Sequence, residues 1–322
     1  MRLTTVFSAL VMAVAAAGAH AQKWDMPTPY SDNEFHTLNV KRFVEDVKRE
    51  SGGQLNITVH TNGSLIKHPD ILRAVSTGQV NIAEFLLGQF GNEDPVFAAD
   101  NLPLVAAGWD NAWKFYQAQK PLLVKKLQAR GMRLLYSVAW PGQGIYSKNV
   151  LKSVDDLKGT KFRTYSPQTA RLAELLGASP TVIQVPEVPQ AFATGSINAM
   201  ITSSATGTLT KAWEFVKNYY TTNAFHPKNV VVVNERAFQQ LPENVKKAVL
   251  SAAAEAETRG WEFGKQREQG ANKELAANGM TLHEPDAAMK AAFRKVGDTM
   301  LAEWQKAAGA DGDAIIKAYR AK

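Results

Sequence analysis

The chain has 322 residues, a formal net charge of +7 and no cysteine. Its composition, with 45% hydrophobic and 21% charged residues, is that of an ordinary globular protein, which excludes a long disordered chain or a coiled coil. The lack of cysteine excludes disulfides, thiol nucleophiles, iron–sulfur clusters and cysteine-based zinc sites. The length predicts about two domains, and the mild positive charge suits small anions better than nucleic acid.

The first 21 residues have the pattern of a secretory signal peptide. Arg2 supplies a positive start, residues 6–17 are almost wholly apolar, and Ala19-His20-Ala21 is a small-x-small cleavage site. The apolar run is shorter than the roughly 20 residues that a membrane-spanning helix needs. We therefore expect an exported, soluble, periplasmic protein that is cleaved near Ala21, without a lipid anchor because no cysteine stands at the cleavage point.

Strands and helices alternate along the rest of the chain. A capping-box spacing from Ser31 to Glu34 predicts the start of the first long helix. Hydrophobic alternation and turn residues predict strands at 24–26, 55–60, 80–87, 132–138, 161–165, 181–184, 197–201 and 229–234. Helical spacing between them predicts helices at 69–76, 109–130, 166–177 and 186–193. Strands separated by helices indicate α/β layers rather than a β-sandwich.

Two features indicate two lobes of similar design. Residues 74–82 and 191–199 both read as a helix end, a Thr-Gly turn and a strand. Residues 243–278 contain no proline and predict one very long helix, or two helices with a kink. At 1.5 Å per residue such a helix could pass behind both lobes, beneath a cleft.

Motifs of catalysis and cofactor binding are missing from the sequence. No pair of its six histidines has the spacing of a helical metal site, and neither the glycine-rich phosphate motifs nor the G-x-S-x-G elbow occurs. Ser203 and Ser204 have no base near them and are interpreted as structural serines. We therefore expect no enzyme activity, catalytic residues, cofactor, metal or nucleic-acid partner, although scattered catalytic groups would escape this test.

Arg163 is the strongest candidate for ligand binding. It lies in a predicted strand, on the same face as Lys161 and Tyr165. Ligands of α/β lobes gather at the carboxyl ends of strands, where a guanidinium can hold a carboxylate at two points. The alternative is a surface ion pair. Two uncharged, glycine-rich strand-end loops, 88–91 and 140–146, suit a pocket wall or, equally, a packed turn.

The order of several segments resembles the solute-binding proteins of TRAP (tripartite ATP-independent periplasmic) transporters over the whole mature chain. These segments are Asp-Leu-Lys-Gly-Thr-Lys-Phe-Arg at 156–163, Gly-Ala-Ser-Pro at 177–180, Ala-Phe-Ala-Thr-Gly at 191–195, Phe-His at 225–226 before a valine strand and Leu-Pro, and the 96–104 region. The resemblance implies an α/β, two-lobed, periplasmic-binding-protein-like fold with crossing strands and a long backing helix. We expect lobe 1 mainly from 22–140, lobe 2 mainly from 141–228, and 229–322 packing on both.

The resemblance implies that Arg163 is the carboxylate-binding arginine, but two departures remove charge from the cleft. The strand at 143–146 lacks a second arginine that many members have, and residues 198–204 lack an acidic stretch. We therefore expect a monocarboxylate whose other end is neutral and partly apolar, such as pyroglutamate or an aryl 2-oxo acid. The missing acidic residues also argue against a metal that assists binding.

The predicted ligand-binding residues combine the arginine with aromatic and amide or hydroxyl side chains. They are Arg163, Trp140, Gln143, Tyr146, Gln89, Phe90, Thr202, Ser203 and Phe225. Ligand binding is expected to close the lobes, and the closed monomer is expected to deliver the acid to a TRAP permease. The alternatives are a C4-dicarboxylate ligand, a receptor that presents its ligand to a sensor kinase, and a periplasmic lyase or hydrolase.

Overall fold

A computed structural model describes residues 21–321. The predicted signal peptide, residues 1–21, lies outside the described residues except for Ala21. Within residues 21–321, none of the helices combines the length and apolar character that crossing a bilayer requires.

Helices and strands alternate as the sequence predicts. The strands are β1 (Gln22–Pro27), β2 (Leu55–His60), β3 (Ile82–Leu86), β4 (Met132–Ala139), β5 (Gln143–Ser147), β6 (Lys161–Thr164), β7 (Ser179–Val182), β8 (Ala199–Ser203), β9 (Asn218–Tyr220), β10 (Lys228–Asn234) and β11 (Thr281–His283). The helices are α1 (Phe35–Glu50), α2 (His68–Ser76), α3 (Trp109–Gln128), α4 (Pro167–Leu175), α5 (Val188–Ala193), α6 (Ser204–Leu209), α7 (Glu235–Gln239), α8 (Glu243–Ala277) and α9 (Ala287–Arg320).

The strands form two separate bodies, as the predicted two-lobed α/β fold requires. Lobe 1 contains a sheet of order β3-β10-β4, with β10 antiparallel to both neighbours, and the parallel pair β1-β2. Lobe 2 contains a sheet of order β11-β9-β5-β8-β6-β7. The valines of β10 are buried on both faces of its sheet, which explains why this strand is an unbroken apolar run.

The connections between the lobes include two crossing segments and a long helix. The chain crosses once between β4 and β5 and returns between β9 and β10, and these two segments are bonded to each other. The Trp140 amide donates to the Pro227 carbonyl (2.8 Å), and the Gln143 amide donates to the Phe225 carbonyl (3.0 Å). The long helix is α8, which is continuous over 35 residues and packs on α1 and β4 of lobe 1 and on α6 of lobe 2. The predicted long helix is therefore confirmed, without a break.

The two Thr-Gly turns have the same geometry in the two lobes. Thr77 is the C-cap of α2 and Thr194 is the C-cap of α5, and each is followed by a glycine with positive φ, +77° at Gly78 and +70° at Gly195. A residue with a Cβ is strained in this conformation, so glycine is the residue expected just past the helix end.

The start of α1 differs from the prediction. Glu34, rather than Ser31, is the N-cap, and its carboxylate accepts hydrogen bonds from the amides of His36 and Thr37. The Ser31 hydroxyl instead donates to the Asn33 side chain. Glutamate can cap a helix because its carboxylate satisfies the same free amides as a serine hydroxyl.

Candidate ligand-binding site

A cavity of about 390 Å³ lies between the two lobes. Lobe 1 and the crossing segments contribute mainly aromatic and apolar groups, including Pro29, Tyr30, Leu86, Trp140 and Pro227. Lobe 2 and the start of β5 contribute most of the polar groups, including Gln143, Arg163, Tyr165, Gln184, Thr202, Ser203 and Thr206. The exposed side chains of Asn62, Lys67 and Glu187 stand at the rim.

Among residues 21–321, Arg163 is the only cationic side chain of the cavity wall that is buried, at 1% exposure. It lies on β6, between β8 and β7. Its Nε donates to the Ile183 carbonyl (2.9 Å) and its Nη1 to the Ile201 carbonyl (3.4 Å). The guanidinium is thus anchored by the backbone of lobe 2, and its remaining donors are left for a partner in the cavity.

No carboxylate neutralises this arginine within residues 21–321. No carboxylate acts on its charge there, and its aromatic partner is Tyr165, whose ring centroid lies 5.1 Å from Cζ. Burial lowers the pKa of Arg163 to about 10, and Tyr165 and Tyr30 oppose that shift, so the guanidinium is protonated at neutral pH. A buried, unpaired cation of this kind needs a bound anion to complete it.

The aromatic wall of lobe 1 is held by a buried hydrogen-bond network. Asn229 Oδ1 accepts from Trp140 Nε1 (2.8 Å) and from the Tyr30 hydroxyl (3.3 Å), while its Nδ2 donates to Glu84 (2.9 Å). The Tyr30 and Trp140 rings meet edge to face with centroids 5.1 Å apart. Burial raises the pKa of Glu84 to about 7, and its hydrogen bonds with Thr28 and Asn229 oppose that shift.

The amide and hydroxyl groups of lobe 2 have partial internal partners. The Tyr165 hydroxyl donates to Gln143 Oε1 (2.8 Å), and Gln143 Nε2 donates to the Pro141 carbonyl (2.8 Å). Ser203 is the N-cap of α6, where its Oγ accepts from the Thr206 amide (3.1 Å). Each group retains donor or acceptor capacity for a small polar ligand.

The structure brings five predicted site residues to the cavity wall. These are Arg163, Trp140, Gln143, Thr202 and Ser203. Their convergence follows from the topology, because β6 and β8 end beside each other and β5 begins at the same edge of the sheet.

Four other predicted residues do not line the cavity. Tyr146 lies an odd number of positions from Gln143, so it points to the opposite face of β5, where it stacks on Tyr219 with centroids 4.3 Å apart. Phe90 packs edge to face on Phe85 inside lobe 1, and Phe225 is buried in the core between the crossing segments. Gln89 lies in the 3-10 turn that follows β3, outside the cavity wall.

Several residues of the wall were not among those predicted from the sequence. Tyr30 and His68 come from lobe 1, and Gln184 comes from the segment after β7. None of these three residues lies in a sequence motif that marks it as a ligand-binding residue. The one available signal was Glu84, a charged residue in the otherwise apolar β3, which indicates a buried polar network nearby.

The comparisons with known proteins agree on one family. The family model "Bacterial extracellular solute-binding protein, family 7" (DctP) matches residues 28–307. The C4-dicarboxylate-binding periplasmic protein DctP of Rhodobacter capsulatus is 28% identical over 291 residues, which cover 87% of this chain and 86% of that protein.

Two solved structures from Bordetella pertussis are more similar. DctP6, an extracytoplasmic solute receptor that binds pyroglutamic acid, shares 48% sequence identity at a TM-score of 0.92, covering 94% of this chain and 100% of DctP6. DctP7, which also binds pyroglutamic acid, shares 43% identity at a TM-score of 0.92, covering 93% and 100%. The chain therefore belongs to family 7 of the bacterial extracellular solute-binding proteins, the periplasmic receptors of TRAP transporters, which are transport proteins and not enzymes.

Proposed function

We propose that this protein captures pyroglutamate, or a closely similar cyclic monocarboxylate, and delivers it to the membrane subunits of a TRAP permease. The observation that carries the proposal is the buried Arg163 guanidinium, which has no carboxylate partner within residues 21–321. A ligand carboxylate would supply the missing charge, and two parallel hydrogen bonds would fix its orientation.

The rest of the cavity suits a small, neutral ring. Tyr30 and Trp140 offer aromatic surface that is already fixed by Asn229. A lactam ring also presents one N–H donor and one carbonyl acceptor. Gln143, Thr202 and Ser203 carry the amide and hydroxyl groups that complement such a pair.

The wall favours one carboxylate over two. Besides Arg163, its only other cationic side chain within residues 21–321 is Lys67, which is exposed at the rim. A second carboxylate would therefore be desolvated without a buried cation beside it, which is unfavourable. The two pyroglutamate-binding relatives, at 48% and 43% identity, support the same choice over the C4-dicarboxylate alternative suggested by a relative at 28%.

We also propose that the mature chain begins near Gln22 and acts in the periplasm as a monomer. Ligand contacts from both walls would favour the closed arrangement by their differential affinity for it. A receptor that presents the same ligand to a sensor kinase would use the same binding step, so capture of the closed protein by the permease subunits is the observation that separates these two uses.

Calorimetry with a matched set of ligands tests the proposal. L-pyroglutamate should bind, its carboxamide should not because it lacks the charge, and cyclopentanecarboxylate should bind more weakly because it lacks the lactam. Ligand at 100 times its Kd should also raise the free energy of unfolding by about 2.7 kcal/mol. Tighter binding of succinate or malate than of pyroglutamate would contradict the choice of ligand, and equal binding of acid and carboxamide would contradict the role of Arg163.

A further inference from the structure

Two short segments face each other across the mouth of the cleft. Residues 67–69 begin α2 in lobe 1, and residues 184–187 precede α5 in lobe 2. His68 Nδ1 lies 3.0 Å from Gln184 Oε1. Within residues 21–321, no other side-chain hydrogen bond or ion pair joins the two segments, although Lys67 and Glu187 both stand at the rim.

The direction of this hydrogen bond follows from the second nitrogen of the ring. The Leu86 amide donates to His68 Nε2 (3.2 Å), so Nε2 carries no proton. A neutral imidazole then carries its proton on Nδ1, which donates to Gln184 Oε1. Burial lowers the pKa of His68 to about 4, and the neutral ring is therefore the form present at neutral pH.

The His68 ring is oriented before the two segments meet. The Leu86 amide belongs to lobe 1, as do the rings of Tyr30 and Phe90, which contact His68 edge to face with centroids 6.1 Å and 6.2 Å away. Lobe 1 thus holds the donor ready in one rotamer and one tautomer, and closing the cleft adds only the acceptor.

The acceptor is joined to the ligand-binding arginine through the backbone. Gln184 follows Ile183, whose carbonyl accepts from Arg163 Nε and whose amide donates to the Thr164 carbonyl (3.1 Å). The segment that fixes the guanidinium therefore also fixes the position of Gln184.

We propose that His68 and Gln184 form a clasp that holds the two lobes closed over the bound acid and so sets its dissociation rate. The proposal rests on the proposed function, because it assigns a positioning role at the same cavity. Both partners of the clasp are neutral at neutral pH, so it adds no charge that would compete with the ligand carboxylate for Arg163.

Stopped-flow fluorescence with L-pyroglutamate tests the clasp. Gln184→Leu removes the acceptor, and a hydrogen bond of ordinary strength predicts a dissociation rate about fivefold higher or more. The association rate should stay within about twofold, because affinity changes within one interface act mainly on dissociation. The matched control is Gln190→Leu, at an exposed position of α5, which should leave both rates unchanged.

An unchanged dissociation rate in Gln184→Leu would overturn the clasp while leaving the proposed function intact. A second measurement does not depend on the ligand. Since the chain has no cysteine, spin labels at Arg73→Cys and Ala193→Cys report the distance between exposed points on the two lobes. Gln184→Leu should shift that distance distribution to larger values, and an unchanged distribution overturns the clasp. Failure of the wild type to bind pyroglutamate would instead refute the proposed function.

Discussion

The two walls of the cavity differ in how far their polar groups are satisfied by the protein itself. In lobe 1, the polar atoms of Tyr30 and Trp140 are already bonded to Asn229. In lobe 2, Arg163 is buried with donors left over, and no carboxylate of residues 21–321 lies beside it. The lobe 1 wall therefore contributes a fixed shape with its polar atoms already hydrogen-bonded. The lobe 2 wall contributes a positive charge that still needs an anion. A ligand must meet both walls at once, which ties recognition to closure of the lobes.

This division also lowers the cost of binding the anion. In the structure the guanidinium is already buried, at 1% exposure. The ligand carboxylate adds only its own desolvation, and the Ile183 and Ile201 carbonyls already hold the fork in place. A preorganised cation of this kind strengthens binding by reducing the cost of arranging the site.

Removing the charge of lobe 2 should have the largest effect. Arg163→Met should lose at least about 2–5 kcal/mol of pyroglutamate binding, because the ligand carboxylate is left unpaired. The same variant should be as stable as the wild type or more stable, since an uncompensated buried charge is gone. Calorimetry and urea unfolding measure the two effects. Arg163→Lys should bind weakly because the planar fork is lost; full affinity in either variant would refute the assignment.

His226, in one of the two crossing segments between the lobes, should make the free energy of unfolding depend on pH. Its Nδ1 donates to the Trp140 carbonyl (3.0 Å), and burial lowers its pKa to about 4. Between pH 6.5 and 4 the unfolded chain binds a proton that the folded protein does not, so stability falls as the pH falls through this window. The contribution of His226 to this loss in the free energy of unfolding is about 3 kcal/mol.

Replacing His226 separates its contribution to the pH dependence of stability from that of the other groups. His226→Asn keeps an N–H donor for Trp140 but does not titrate. The difference in free energy of unfolding between wild type and variant should therefore shrink by up to about 3 kcal/mol from pH 7 to pH 4. Urea titrations at several pH values measure it, and parallel pH profiles for the two proteins would contradict the prediction.

Disrupting the hydrogen bonds of the lobe 1 wall should reduce the stability of the fold more than the affinity for the ligand. Asn229→Leu leaves the Trp140 N–H, the Tyr30 hydroxyl and Glu84 without this partner, and should destabilise the fold by about 1–3 kcal/mol. Asn229→Asp should destabilise it more at high pH, because a second carboxylate then faces Glu84. If Asn229→Leu lowers affinity as much as Arg163→Met, the division of roles between the walls is wrong.

The smallest effect should come from Tyr165→Phe. This change removes the hydroxyl that donates to Gln143 Oε1 but keeps the ring beside Arg163. We expect a loss of about 1 kcal/mol in binding, the size of one ordinary hydrogen bond. The control is Tyr319→Phe, remote from the cavity on α9, which should bind like the wild type. A tenfold or larger loss in Tyr165→Phe would mean that Gln143 is a principal ligand contact.

The order of elements was predictable because its signals are local. Hydrophobic periodicity located β10 and α8, and the Thr-Gly turns located the ends of α2 and α5. The role expected for Arg163 also began from a local fact, its place on a strand near the carboxyl edge of a sheet.

The remainder of the cavity depends on contacts between distant parts of the chain. His68 and Gln184 are 116 positions apart, and no local pattern shows that they meet. Phe90 and Phe225 pack in the core, and the sequence alone does not separate that position from a pocket wall, since an aromatic residue after a strand suits both. Tyr146 lies on the face of β5 opposite to Gln143, which strand alternation alone would have indicated.

The topology of lobe 1 has a consequence for when its sheet can form. Strands β3 and β4 pair with β10 and not with each other. The middle of that sheet therefore arrives from the ribosome long after its edges, and pairing at such sequence separation is slow. The sheet of lobe 1 is complete only when residues 228–234 have been added. A chain that stops before β10 leaves both β3 and β4 without their strand partner, so most of the chain must be made before this sheet can close.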